Sequence, residues 1–78
     1  MTKKEKLLAK IRNNPKEVRF EDLEGLIINH GFEKAGGKGS HNVYVKENTV
    51  ITVVRPHGRN KFCHPLDVKG VLDVLEGR

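Results

Sequence analysis

The sequence predicts an α+β fold, on three observations: apolar residues recur at helical spacing toward both ends, an alternating β-branched stretch fills the middle, and short turn-forming breaks divide that stretch into strands. The implied order is α-α-β-β-β-α. A three-stranded antiparallel meander cannot bury one face alone, so the helices are expected on the same side of the sheet, leaving the other side to solvent.

In residues 3 to 13, Leu7, Leu8 and Ile11 form an apolar stripe among lysines. Asn13-Asn14-Pro15 ends this helix, because proline disfavours helical geometry in the residue before it. From Phe20, the residues Leu23, Leu26, Ile27 and His30 make a second stripe. Glu21, Asp22 and Glu24 lie at its positive N-terminal end, and Gly31 is placed as the C′ residue. His30 is read as stabilising the C-terminus of this helix through the macrodipole. Phe32 to Ala35 reads as a first strand, closed by a Gly36-Gly37-Lys38-Gly39 reversal. In the second strand, His41 to Lys46, alternation puts Val43 and Val45 on the helix-covered face and Asn42, Tyr44 and Lys46 on the other. Glu47-Asn48 then turns the chain into Thr49 to Arg55, and Pro56 to Lys61 forms a polar loop. Val68, Val71, Leu72 and Leu75 sit at i, i+3, i+4 and i+7, with Asp67 as N-cap, or Pro65 as N1 if the helix begins earlier.

A chain of 78 residues has room for one domain, 1–78, with a thin core, since a chain of this size buries only about 60% of its unfolded surface. Residues 20–75 form the expected core. Residues 1–16 read as a dispensable helical extension set off by Pro15. The single Cys63 excludes an internal disulfide and a thiolate metal site, which makes the cytoplasm the natural compartment. No apolar run approaches the roughly 18 residues needed to span a bilayer, and the Lys-rich start leads into an amphipathic pattern rather than a signal-peptide core. No acidic cluster suits magnesium, so neither metal nor cofactor is expected.

The charge is unevenly distributed. Between Lys34 and His64 lie Lys34, Lys38, Lys46, Arg55, Arg59 and Lys61 against Glu47 alone, a balance of +5 that equals the net charge of the whole chain. The same segment holds three of the four histidines. Such a surface favours a polyanion, and histidine is the side chain that exchanges a proton near neutral pH without a large environmental shift. RNA is the expected partner.

The Gly36 to His41 stretch superficially resembles a phosphate-binding loop, but it leads from strand to strand and lacks the helix N-terminus that makes such loops effective. What remains is a tight turn whose backbone N–H groups, Ser40 hydroxyl and His41 imidazole can approach a phosphate. A histidine at a strand start is either structural or catalytic, and the residues alone leave both open. Strand parity adds a difficulty: His41 shares its face with Val43 and Val45, the side assigned to the helices, unless its position at the strand's first residue frees it. Lys38 is the expected phosphate contact. Gly39 and Ser40 would hold charged oxygens through their backbone, while Lys34, Arg55, Arg59 and Lys61 would position the strand electrostatically. Tyr44 would stack on a base. His57 and His64 are alternatives for a second proton-transfer group. Cys63 and His64, being adjacent, cannot face each other as a nucleophile pair.

The stretch from about Phe20 to Leu75 resembles the HicA family of toxins from HicA–HicB toxin–antitoxin modules. The resemblance is carried by Lys38-Gly39-Ser40-His41, by Phe20 to Ile27 followed by Gly31-Phe32, and by the element order around them. It implies a double-stranded-RNA-binding-domain-like fold, mRNA interferase activity with His41 as the catalytic residue, and a HicB-like antitoxin covering His41. Many members have a second histidine directly after the first, where this chain has Asn42. Two other readings fit the residues: a non-catalytic RNA-binding module using the same surface, and an adaptor whose basic segment meets an acidic protein.

Overall fold

The computed structural model describes residues 3–59 and 61–77. Six elements follow in the predicted order: α1 (Lys3–Asn13), α2 (Phe20–Asn29), β1 (Glu33–Lys38), β2 (His41–Lys46), β3 (Thr49–Val54) and α3 (Pro65–Leu75). The strands form one antiparallel sheet in the order β1-β2-β3. Side chains of all three helices meet Tyr44, Ile51 and Val53 of the sheet in a common core.

The helices start and stop for identifiable reasons. Glu21 and Asp22 place carboxylates in the first turn of α2, where the macrodipole favours them. At the other end Gly31 takes φ +92°, its N–H donates to the Ile28 carbonyl at 2.9 Å, and the Phe32 N–H donates to the Ile27 carbonyl at 3.4 Å. This pair of bonds is the Schellman arrangement, and it brings Phe32 onto Ile27 inside the core. His30 adds a bond from Nδ1 to the Leu26 carbonyl at 2.9 Å. Helix α3 begins at Pro65 rather than Asp67, because the His64 Nδ1 accepts from the Leu66 N–H at 3.1 Å and serves as the N-cap. Asp67 instead accepts from the Val54 N–H at the outer edge of β3, at 3.4 Å.

Helix α1 is tied into this structure. Ile11 is 1% exposed and belongs to the core. Lys10 pairs with Asp22 of α2 at 3.1 Å, and Arg12 pairs with Glu76 just beyond α3 at 2.6 Å. The ion pairs are partly solvated and contribute at most about 1 kcal/mol each, so the buried isoleucine is the stronger link.

Two features of the sheet depart from the sequence reading. First, β1 does not stop at Ala35. It runs through Gly36 and Gly37 to Lys38, with a bulge between Lys34 and Gly36, and the reversal is only Gly39-Ser40. Gly37 serves close strand approach: a Cβ there would lie 1.9 Å from the His41 carbonyl oxygen. Gly39, at φ +58°, supplies the positive φ of a two-residue hairpin.

Second, the faces of β2 are exchanged. Tyr44 is fully buried under the helices, opposite Ile51, whereas Val43 and Val45 are half-buried on the open side. The tyrosine ring carries more apolar area than either valine, and its hydroxyl finds an acceptor in Glu24 of α2, so burying it leaves no polar atom unsatisfied. The exchange places His41 on the open face.

Candidate functional site

The candidate site is built on the β1–β2 hairpin. Lys38, the last residue of β1, is the Cα partner of His41, the first residue of β2, so the two share the open face. Both are exposed. Among the described residues no side chain hydrogen-bonds the His41 ring, which leaves both nitrogens available to a ligand. Ser40 is held from two sides: its carbonyl accepts the Arg55 N–H at 2.6 Å and the Asn42 Nδ2 at 3.1 Å. The turn is thereby fixed to the end of β3, and Val54 lies directly across from His41.

Asn42 thus has a structural task. It pairs with Gly37 and Val53 on the helix-covered side of β2, so a second imidazole at this position would point away from the face that carries His41.

The structure brings Lys38, Gly39, Ser40 and His41 together and separates two other predicted residues from them. Lys34 shares the covered face with Tyr44, and its Nζ lies 3.3 Å from Glu24. Tyr44 is 0% exposed and donates its hydroxyl to the same carboxylate. It therefore cannot stack on a base, and the RNA contact predicted for it is corrected to a core role. The Tyr44 hydroxyl holds the Glu24 carboxyl below its usual range, with Lys34 adding to the effect against partial burial. Burial, reinforced by the Glu24 charge, pushes the Tyr44 phenol well above its ordinary value. Arg55 reaches the site through its backbone, while its guanidinium stands 5.1 Å above the Phe20 ring.

Arg59 and Lys61 line a separate cleft of about 580 Å³ that starts at Val54 and continues past Phe62 to the N-cap of α3. Lys16 also borders it. Lys16 and Phe62 were not singled out in the sequence. An aromatic next to Lys61 was a visible signal for Phe62, whereas Lys16 reaches the cleft only through the fold. A larger cleft, about 650 Å³, lies between α1 and α2 and holds none of the predicted residues.

The remaining chemically interesting side chains have structural employment or stand apart. The His64 Nδ1 lone pair is used by its cap. His57 is exposed on the loop after β3. Cys63 is 2% exposed, its N–H donates to the Val18 carbonyl at 2.7 Å, and burial, with Asp67 and Glu21 adding, pushes its thiol up to about 11. A buried thiol that keeps its proton is a poor nucleophile. Among the described residues no helix is long and apolar enough to cross a membrane, and no three His, Cys, Asp or Glu side chains gather where they could hold a metal ion.

The fold and site define a small α+β protein whose hairpin, fixed to the end of β3 through Ser40, presents His41 and Lys38 together on the open sheet face. A family model described as HicA toxin of bacterial toxin-antitoxin matches residues 20–72, and the chain belongs to that family. Membership makes it a toxin of a toxin–antitoxin pair and implies a HicB-type antitoxin as its partner. Comparison with curated proteins and with solved structures returned no match.

Proposed function

We propose that this toxin is an mRNA interferase, an endoribonuclease that acts in the cytoplasm without metal and is silenced by a HicB-type antitoxin. The ribose 2′-hydroxyl attacks the adjacent phosphorus, the bond to the 5′-oxygen of the next nucleotide breaks, and a 2′,3′-cyclic phosphate and a 5′-hydroxyl result. His41 moves the proton as general base or acid; Lys38 and the Gly39-Ser40 backbone hold the charged phosphate oxygens. Arg55, Arg59 and Lys61 add the longer-range attraction that holds the strand. Within this reading the unit is one domain, 1–78, with a double-stranded-RNA-binding-domain-like core at 20–75. The observation that carries it is the exposed His41 beside Lys38 on the open sheet face, at a turn bonded to β3 through Ser40.

One observation favours the reading as a non-catalytic RNA-binding module: among the described residues no side chain hydrogen-bonds the His41 ring, whereas catalytic imidazoles are usually held by a partner. The test separates the two. Purified protein and its His41→Ala variant are incubated with labelled single-stranded RNA in EDTA, and both binding and product ends are followed. A nuclease gives cleavage with cyclic-phosphate ends by wild type alone and equal binding by both proteins. Binding without cleavage by either protein would move the assignment to the module, and cleavage by His41→Ala would remove His41 from the mechanism.

A further inference from the structure

The cleft beside β3 combines three cations, Lys16, Arg59 and Lys61, with a single acid, Asp67, whose carboxylate already accepts the Val54 N–H. It also contains an aromatic ring. The chain has four Phe and Tyr residues and no tryptophan. Phe20 and Phe32 are 5% and 6% exposed and Tyr44 is 0%, so Phe62, at 38%, is the one aromatic with a ring face available to a ligand. A half-exposed ring among cations has the makings of a base platform: the ring takes the flat apolar face of a base while the cations take the phosphates on either side.

Its position fits the hairpin site. Val54, which borders the cleft, is the Cα partner of His41, and Arg55, the next residue, donates its N–H to Ser40. A strand whose phosphate lies at Ser40-His41 is therefore placed to reach the cleft across the end of β3.

We infer that the cleft lined by Lys16, Arg59, Lys61 and Phe62 is a nucleotide subsite in which Phe62 stacks on a base flanking the phosphate held at His41. This rests on the reading of the chain as an RNA-handling toxin and assigns to Phe62 the stacking role that burial denies to Tyr44. The site takes a single-stranded nucleotide, because a base paired in a duplex has no free face to offer. Stacking supplies affinity with little discrimination among bases, so it predicts grip on unpaired RNA rather than a strict cleavage sequence.

Because the chain lacks tryptophan, Phe62→Trp introduces a single fluorescent reporter at the proposed platform. The probes are a 2′-O-methyl RNA oligomer, which binds but cannot be cleaved, and an oligomer of the same length and charge with the bases removed. Stacking predicts that the base-containing oligomer quenches the Trp emission and the abasic one does not. It also predicts that Phe62→Leu, which keeps an apolar side chain at this half-exposed position, binds the base-containing oligomer about 5- to 100-fold more weakly than wild type and the abasic oligomer equally well. Binding of the base-containing oligomer, seen by anisotropy, without quenching and with unchanged affinity in Phe62→Leu overturns the inference while leaving the RNA reading intact. Failure of wild type to bind either oligomer at low salt overturns both.

Discussion

Replacing Tyr44 by Phe removes one oxygen atom from beneath the sheet and leaves the ring in place. The oxygen donates to Glu24, a charged acceptor, and a hydrogen bond of that kind contributes about 1.5–3 kcal/mol. The Glu24 side chain keeps 30% exposure and has Lys34 at 3.3 Å, so it is left partly hydrated and paired, which puts the expected loss near about 1–2 kcal/mol. In a protein of this size that lowers Tm by about 5–15 °C. The difference also has a pH signature. The folded phenol titrates above its ordinary 10.0, so from about pH 10 upward the unfolded wild type loses its proton first. The wild-type advantage then shrinks by about 1.4 kcal/mol per pH unit. At the acid end the folded Glu24 titrates below its ordinary 4.5, so its contribution is present above that pH and fades as the pH falls through the lowered value. Urea unfolding of both proteins between pH 3 and 11, with tyrosinate absorbance reporting on the only tyrosine, measures all of this. Equal stability of the two proteins at every pH, together with weaker RNA binding by the variant, would refute the core role and return Tyr44 to the RNA surface.

Gly37→Ala forces a Cβ against the His41 carbonyl at a φ of +145° and should cost about 2–5 kcal/mol, whereas Gly36→Ala, with open space around it, should cost only about 1–2; urea unfolding of the pair compares them, with RNA cleavage lost disproportionately in Gly37→Ala. Ile11→Ala empties a fully buried site and should destabilise by about 2–5 kcal/mol, read as a drop in the urea midpoint at unchanged slope; a change below 0.5 kcal/mol, on the order of a surface substitution, would show that α1 is an appendage.

Element order was legible in the sequence because each element carries local punctuation: Pro15 after α1, Gly31 after α2, Glu47-Asn48 between β2 and β3, Pro65 at the start of α3. The facing of β2 was not legible. His41, Val43 and Val45 alternate with Asn42, Tyr44 and Lys46, and either set satisfies period 2. The choice is made by Glu24, twenty residues away, which offers the tyrosine hydroxyl an acceptor under the helices. Once that face is fixed, the apparent burial of His41 disappears, because it belongs to the opposite set. Of the residues predicted to touch RNA, the contiguous four, Lys38 to His41, stay together since a two-residue turn joins them. Tyr44 is separated from them by strand parity and Lys34 by the bulge between Lys34 and Gly36, which shifts the alternation of β1; charge counting sees neither. Phe62 emerges only when the other three aromatics are seen to be buried. The place of α1 depends on Ile11 meeting the rest of the core across Pro15, a contact that local punctuation does not reveal.

The meander is closed by links of two residues, Gly39-Ser40 and Glu47-Asn48, and every strand pairs with its neighbour in the chain. Hairpins of this kind form in about 1–10 μs, and contacts between near neighbours require little loop-closure entropy. The surface that carries His41 therefore assembles locally, from residues 33–55 settling onto the helix that precedes them. The tie between Arg12 and Glu76 spans 64 positions and needs both ends of the chain. The strand pairing is thus local, whereas the core beneath it is complete only once Val68 and Val71 of the last helix have docked.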